Sequence, residues 1–169
     1  MKLNKPKFWD EEKSLFSKFL FPFSFITKII VWTKNKIIKP INFSIPVICV
    51  GNIYLGGTGK TPTTLKLFEL LKSLNLKIAT AKKNYSHQQD EETLLKKKSN
   101  LIISKKRSDI IVKAIKKGID LVIFDDGLQE KKVDYDIKFV CFDCKSWIGN
   151  GFLIPSGPLR EKIKSLIKY

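Results

Sequence analysis

A glycine-rich turn between a strand and a helix constrains the fold of this chain more than any other feature of its sequence. Residues 46–50 form the β-branched run PVICV, which is typical of a buried strand, and the glycine-rich residues 51–62 follow directly. A phosphate needs close approach from several backbone N–H groups, and glycine permits that approach in a tight turn. The sequence GGTGKTP at 56–62 therefore predicts a phosphate-binding loop that opens a helix.

Each residue type in this loop has a role in nucleotide binding. Lys60 supplies a cation for the β and γ phosphates, the hydroxyl of Thr61 is expected to face Mg²⁺, and Pro62 fits the first helical turn. The first glycine of the usual pattern G-x-x-x-x-G-K-[ST] is replaced by Tyr54. We expect a nucleotide and Mg²⁺ to bind here. The expected phosphate-binding residues are Gly56, Gly57, Thr58, Gly59, Lys60 and Thr61.

A second motif, LVIFDDGLQ at residues 121–129, is an apolar strand that ends in two acidic residues. A carboxylate at a strand end beside a phosphate loop can hold Mg²⁺ directly or through water. Adjacent carboxylates repel each other unless a cation offsets them, which favours a metal or catalytic role for Asp125 and Asp126. The alternative is that Asp126 caps the turn before Gly127. Thr61 and Asp126 are the expected metal ligands.

Strands and helices alternate from residue 45 onward. Further strands are expected at residues 77–81, 101–104, 120–125 and 137–142, with helices at 63–75 and 108–117. The polar residues 84–98 predict a loop or a short exposed helix, and residues 163–169 predict a helix still in progress. This alternation predicts an α/β fold: a mostly parallel sheet of the P-loop NTPase type with helices on both faces. The leucines expected to face the sheet from the first helix are Leu67, Leu70, Leu71 and Leu74.

The first 42 residues differ in composition from the remaining domain, residues 43–169. Residues 16–32 are rich in Phe, Ile and Trp but also contain Lys18, Pro22 and Lys28. These charges argue against a transmembrane helix, and a secretory signal would end in a small-residue cleavage site. We expect one or two short amphipathic helices, broken near Pro22, that contact an anionic membrane surface. The alternative is that the aromatic residues pack on the following domain.

Charge and cysteine content limit the partners of the chain. It has 32 Lys and Arg residues against 16 Asp and Glu, a formal net charge of +16. Such a positive field suits a nucleic acid, an anionic membrane or a phosphorylated substrate as partner. No nucleic-acid-binding motif is recognisable, so we expect no nucleic acid partner.

Cys49 and Cys141 lie in apolar runs and are expected to be buried thiols. Cys141 and Cys144 are not expected to form a metal site.

A third segment, GNGFLIPSGPLRE at residues 149–161, is dense in turn residues. Together with KPKFW at 5–9, the loop at 46–62 and DDGLQ at 125–129, it resembles the tetraacyldisaccharide 4′-kinase family, the membrane-associated lipid A kinases of Gram-negative bacteria. The resemblance implies MgATP-dependent phosphoryl transfer to the 4′-hydroxyl of a tetraacylated glucosamine disaccharide 1-phosphate. It also implies peripheral association with the cytoplasmic face of the inner membrane.

Individual roles follow from the same resemblance. The acids and Gln of the family's DDG-x-Q motif match Asp125, Asp126 and Gln129, and its terminal Arg–Glu pair matches Arg160 and Glu161. Of the family's S-R-G-Y-G motif this chain keeps only Tyr85. Residues 89–92 (QDEE) occupy the position of the family's G-D-E-P motif and keep its two acids. The resemblance therefore implies that Asp90 is the base that accepts the hydroxyl proton. Lys82, Lys83 and residues 96–98 either hold the lipid's phosphate or solvate a loop. Family members are much longer, so we expect their C-terminal half to be missing.

The rival class is a membrane-associated P-loop ATPase of the partitioning type, which acts as a switch and not as a metabolic enzyme. Its loop reads K-G-G-x-G-K-T, and the signature lysine falls on Leu55 in this chain. This difference favours the kinase.

Overall fold

The computed structural model describes residues 5–11, 13–84 and 89–169. The chain divides into two compact units. The first comprises Met1–Ile38, Asn52–Thr58 and Val140–Tyr169, and the second comprises Lys39–Gly51 and Gly59–Phe139. The division into domains at residue 42 stays a prediction.

A five-stranded sheet with strand order β3-β2-β4-β1-β5 is the core of the second unit. The pairs β1–β4, β2–β4 and β2–β3 are parallel, which confirms the expected α/β fold class. Every residue of β1 and of β4 is buried, as the continuous apolar runs require. The strands are β1 (Val47–Gly51), β2 (Ile78–Lys83), β3 (Leu101–Ser104), β4 (Leu121–Asp125) and β5 (Ile137–Val140).

In the described part of the chain, the helices that connect these strands are α2 (Lys60–Lys72), α3 (Gln89–Lys98) and α4 (Arg107–Lys116). The predicted buried face of α2 is only partly correct, because Leu67 and Leu71 are half-buried. Residues Thr61, Thr64, Leu65 and Phe68 of α2 are buried, whereas Leu70 and Leu74 are exposed. The helix α2 begins directly at the loop, where Thr61 is buried. Residues three and four positions apart share one face of a helix, so the residues that follow Thr61 at these intervals form the buried face.

The N-terminal helix α1 (Leu15–Ile37) belongs to the first unit and is continuous, so the predicted break near Pro22 is wrong. Proline removes one backbone hydrogen bond from a helix interior. Contacts with the chain near residue 155 hold the turns on both sides of Pro22. The Ser24 hydroxyl donates to the Leu153 carbonyl (2.7 Å), and the Ser156 hydroxyl donates to the Ser17 carbonyl (2.6 Å).

By length and composition α1 could cross a membrane, although the charges in its sequence argue against a transmembrane helix. A helix of 23 residues is long enough, and its two lysines in the apolar stretch do not rule it out. Buried helices of soluble proteins and N-terminal signal sequences meet the same criterion. The aromatic side chains of α1 are mostly exposed, while Ser17 and Ser24 are buried.

Two local predictions near the C-terminus also differ from the structure. Residues Ile163–Lys168 form a 3₁₀-helix and not an α-helix in progress. The last strand ends at Val140, so Cys141 lies outside it and is only half-buried. Cys49 in β1 is fully buried, as expected.

Candidate nucleotide and metal site

Strand register places the first acid of the DDG motif beside the start of the glycine-rich loop. In the parallel pair β1–β4, Val50 lies opposite Asp125, and the loop begins after Gly51. The Asp126 N–H also donates to the Val50 carbonyl at 2.8 Å. The carboxyl ends of neighbouring parallel strands open on the same edge, where ligands bind in α/β folds.

The start of α2 brings Thr61 to this edge. Gly59 precedes the helix with φ 76°, in the left-handed region that glycine adopts without strain. Thr61 is the second residue of the helix, and its hydroxyl donates to Asp125 Oδ2 at 2.8 Å in a buried hydrogen bond. Both side chains were predicted from sequence, and the structure brings them into contact.

Lys60 and Asp126 form a longer ion pair beside this hydrogen bond. The Lys60 ammonium lies 3.9 Å from Asp126 Oδ1, and each side chain is only 11% exposed. A lysine at this distance is held near the carboxylate but can still reach another anion.

A buried lysine that the sequence analysis did not assign to the site completes the cluster. Lys82, near the end of β2, is 2% exposed. Its ammonium lies 3.2 Å from Asp125 Oδ2 and forms an ion pair with Glu91 of α3. Neither sequence interpretation of Lys82, a lipid-phosphate ligand or a solvated loop residue, describes this position. The available signal was that Lys82 directly follows the predicted strand at residues 77–81.

Burial dominates the electrostatics of Asp125. Loss of solvent raises the pKa of the Asp125 carboxyl, although the Lys82 ammonium and the Thr61 hydroxyl act in the opposite direction. Burial by itself would lower the pKa of Lys82. The carboxylates of Asp125 and Glu91 together outweigh that effect and raise it, so Lys82 stays protonated at neutral pH.

The DDG turn is in contact with residues that the sequence motifs do not include. The buried Arg107 guanidinium donates to the Asp126 carbonyl. A Cβ atom on Gly127 would lie 2.7 Å from the Tyr135 hydroxyl and 2.8 Å from Cys49 Sγ, so only glycine fits there. Burial raises the pKa of the Cys49 thiol to about 12. This cysteine therefore has a packing role.

The oxygen atoms of this cluster fit a magnesium ion. Among the described residues, Asp125 Oδ1 is buried and has no hydrogen-bond partner. Oxygen ligands of this kind are those that Mg²⁺ prefers, commonly one or two protein side chains with phosphates and waters. Within that described part of the chain, no group of three or more His, Cys, Asp or Glu side chains could hold a metal. The Thr61–Asp125 pair is therefore suited to a metal that arrives with phosphate.

The preceding part of the loop belongs to the first unit and is braced by Asn52. The Asn52 amide donates to the Gly56 carbonyl at 3.2 Å and to the Thr58 hydroxyl at 2.9 Å. Both Asn52 and Thr58 are buried, so these bonds help to fix the loop conformation.

The remaining predicted residues take up separate positions. Asp90 is exposed in the first turn of α3, beside the Glu91 that contacts Lys82. Gln129 is half-buried in the turn after the DDG motif. In the first unit, the Arg160 N–H donates to the Ile53 carbonyl at 2.7 Å, and the buried Glu161 accepts a hydrogen bond from the Tyr169 hydroxyl at 2.9 Å. Tyr85 lies outside the described residues.

The first strand of this parallel sheet leads through GGTGKT into a helix. The hydroxyl of the last threonine in that motif is hydrogen-bonded to an acid on the adjacent strand. These features define the class of P-loop nucleotide-binding proteins. Comparison with protein families narrows the class. The sequence model of LpxK, the tetraacyldisaccharide-1-phosphate 4′-kinase, matches residues 16–92 and 78–169. The chain belongs to this family, which decides against the partitioning ATPase.

Individual relatives agree with the family assignment. A tetraacyldisaccharide 4′-kinase of Pelagibacter ubique is 49% identical over 170 residues, covering 100% of this chain and 54% of the relative. That of Rickettsia bellii is 35% identical and covers 95% of this chain and 55% of the relative. The crystal structure of LpxK from Aquifex aeolicus, described as an apo form in complex with ATP, superimposes with a TM-score of 0.79. It is 25% identical, and the match covers 91% of this chain and 57% of that structure. The chain thus spans about half the length of these relatives.

Proposed function

We propose that this chain carries the ATP site of a tetraacyldisaccharide 4′-kinase, which transfers the γ-phosphoryl group of ATP to the 4′-hydroxyl of an acylated disaccharide 1-phosphate. The observation that carries the proposal is the buried Thr61–Asp125 hydrogen bond, with Asp125 Oδ1 left unpartnered among the described residues. A hydroxyl and a carboxylate in this arrangement suit Mg²⁺ bound to nucleotide phosphates. Family membership and the ATP-bound relative support the choice of nucleotide.

Each site residue has a proposed task. The backbone of Gly56, Gly57, Thr58 and Gly59 surrounds the phosphates, and Lys60 moves its ammonium from Asp126 to a phosphate oxygen. Thr61 and Asp126 are proposed to hold the metal, and the buried hydrogen bond between Thr61 and Asp125 supports adding Asp125 to them. When bound, Mg²⁺ would neutralise negative charge on the phosphates.

Acceptor activation is assigned to Asp90, which would accept the proton of the sugar hydroxyl. Tyr85, Gln129, Arg160 and Glu161 are proposed to contact or position the substrates, as the family motifs imply.

The lipid substrate has a proposed docking region in the first unit. A cavity of about 250 Å³ lies there, and its lining combines apolar and basic side chains. Trp32 and Leu153 could contact acyl chains, while Lys28, Lys162 and Lys168 could contact a phosphate. We propose that the protein works at the cytoplasmic face of the inner membrane as a peripheral protein, where such a lipid is available.

Transfer of radiolabelled phosphate tests the function directly. The chain is mixed with γ-labelled ATP and the disaccharide lipid, with ATP and DNA, or with ATP alone. Label should appear in the lipid, and only in that mixture. Release of free phosphate without lipid labelling would reject the kinase and favour an ATPase. Lys60→Ala should abolish transfer, whereas Lys66→Ala, an exposed lysine on the same helix, should not.

A further inference from the structure

Lys82 occupies an unusual position for a lysine, because its whole side chain is enclosed at the end of a central strand. In the β2–β4 pair Ala81 lies opposite Phe124, so Lys82 and Asp125 follow at the next position of each strand. Lys82 also lies opposite Ile103 of β3. It lies in the stretch where this chain departs from the family's S-R-G-Y-G motif.

The Lys82 ammonium joins two carboxylates that come from different elements. Asp125 Oδ2, 3.2 Å away, is on β4, and Glu91 is in the first turn of α3. Asp125 is completely buried, whereas the Glu91 side chain is 46% exposed. Two carboxylates that share one cation would repel each other if that cation were removed.

We propose that Lys82 is a built-in counter-ion of the site: its ammonium fills the position between Asp125 and Glu91 that a divalent cation could otherwise occupy, and it fastens the start of α3 to the end of β4. Lys82 is thus a positioning residue that acts through Asp125 and Glu91. The inference rests on the proposed function in taking Asp125 as the carboxylate that faces the metal. Because Lys82 already compensates Asp125 Oδ2, Oδ1 is the oxygen left for the metal that accompanies the nucleotide.

Two measurements on the 169-residue chain test this role without using turnover. The first is Mn²⁺ affinity without nucleotide, followed by electron paramagnetic resonance. Lys82→Met keeps the side-chain length and removes the charge, so it should bind Mn²⁺ at least about tenfold more tightly. The second is amide hydrogen exchange in residues 89–98, which should become faster at the start of α3 in the same variant.

Matched variants separate this role from a general loss of charge. Lys83→Met removes a positive charge from the next position of the same strand and should change neither measurement, whereas Lys82→Arg should restore wild-type exchange. Unchanged Mn²⁺ affinity or unchanged exchange in Lys82→Met would overturn the proposal, as would equal effects in Lys83→Met.

Should Lys82→Met fail to fold, Glu91→Gln breaks the pair from its exposed side and should still speed exchange at the start of α3. The absence of that change would overturn the proposal. In one outcome, the variants show the expected changes in exchange and Mn²⁺ affinity while the wild-type chain transfers no phosphate to lipid. That result would support the role of Lys82 and contradict the proposed function.

Discussion

At Lys60 a single ammonium has Asp126 as its partner at 3.9 Å, a distance at which the ion pair can be exchanged for a phosphate. Lys60→Ala should weaken ATP binding about 10- to 100-fold, because a charge-assisted hydrogen bond contributes roughly 1.5–3 kcal/mol. Fluorescence titration with a labelled ATP analogue measures the dissociation constant. The control is Lys66→Ala on the same helix, whose partner is the exposed Glu69. Equal affinity of Lys60→Ala and wild type would contradict the phosphate-loop assignment.

Asp90 is exposed at the start of α3, so its proposed role depends on reaching the acceptor hydroxyl and not on a buried environment. Asp90→Asn should lower the rate constant of phosphate transfer by about a hundredfold or more, because a general base acts mainly in the transition state. ATP affinity should stay within about twofold of wild type. Rapid-quench measurement of labelled lipid gives the rate. Glu92→Gln, whose carboxylate pairs with Lys96 on the same helix, is the control. A near-normal rate in Asp90→Asn would assign the proton to another group.

The thiols of Cys49 and Cys144 differ in exposure. Cys49 is fully buried and its pKa is raised to about 12, so almost none of it is thiolate at pH 8. Cys144 is exposed. Iodoacetamide at pH 8 should modify Cys144 within minutes and Cys49 only after unfolding. Mass spectrometry of peptides before and after adding denaturant measures both sites. Modification of Cys49 in the folded chain at a rate similar to Cys144 would show that β1 is accessible.

At the scale of elements, hydrogen bonds that no local pattern encodes secure α1 to the chain around residue 155. The Ser24 hydroxyl donates to the Leu153 carbonyl and accepts from the Ser156 N–H at 3.3 Å. Ser24→Ala should lower the free energy of unfolding by about 1–3 kcal/mol, because two buried polar groups would lose their partner. Urea denaturation followed by circular dichroism gives this value.

Thr33→Ala is the matched control for Ser24 on the same helix. The Thr33 hydroxyl donates to the Ile29 carbonyl within α1 and is exposed, so its removal should change stability by less than about 0.5 kcal/mol. Equal losses in the two variants would mean that the bonds of Ser24 to residues 153–156 add nothing to stability.

At the scale of the whole molecule, the net charge of +16 and the exposed aromatic face of α1 both suit an anionic lipid surface as a partner. Two lysines of α1 lie over its own aromatic rings: the Lys28 ammonium is 4.8 Å from the Phe25 ring centre, and that of Lys36 is 4.6 Å from Trp32. Side chains of this kind place apolar rings in the lipid boundary and charges among anionic headgroups.

The 169-residue chain should therefore sediment with anionic vesicles more than with neutral ones, and salt should weaken the difference. Each lysine near the surface contributes about 1 kcal/mol at low ionic strength. Replacing both Phe19 and Phe25 by Ser should reduce binding, because these side chains are 72% and 58% exposed. Leu70→Ser, a change at a 56% exposed leucine of α2, serves as the control. Equal sedimentation with neutral and anionic lipid, at any salt concentration, would leave packing as the explanation of the aromatic residues.

Much of the fold and of the site follows from the sequence, because the signals concerned are local. Buried strands were recognisable as apolar runs, and their observed ends at Gly51 and Asp125 differ little from those predicted. The order strand, glycine-rich turn, Lys60, Thr61 and helix predicts a phosphate loop, because each of these residue types suits a phosphate or metal contact. The acids at the end of β4 were expected beside that loop, and the Thr61 hydroxyl is hydrogen-bonded to Asp125.

Only the tertiary structure decided which residues meet across elements. Strand order β3-β2-β4-β1-β5 puts β2 beside β4, and that adjacency encloses Lys82 next to Asp125, although the two residues are 43 positions apart. The buried face of α2 and the continuity of α1 through Pro22 were likewise set by contacts with other parts of the chain. The physical reason is that helix and strand propensities act over a few residues, whereas burial and ion pairing depend on strand adjacency and register, which many distant contacts fix together.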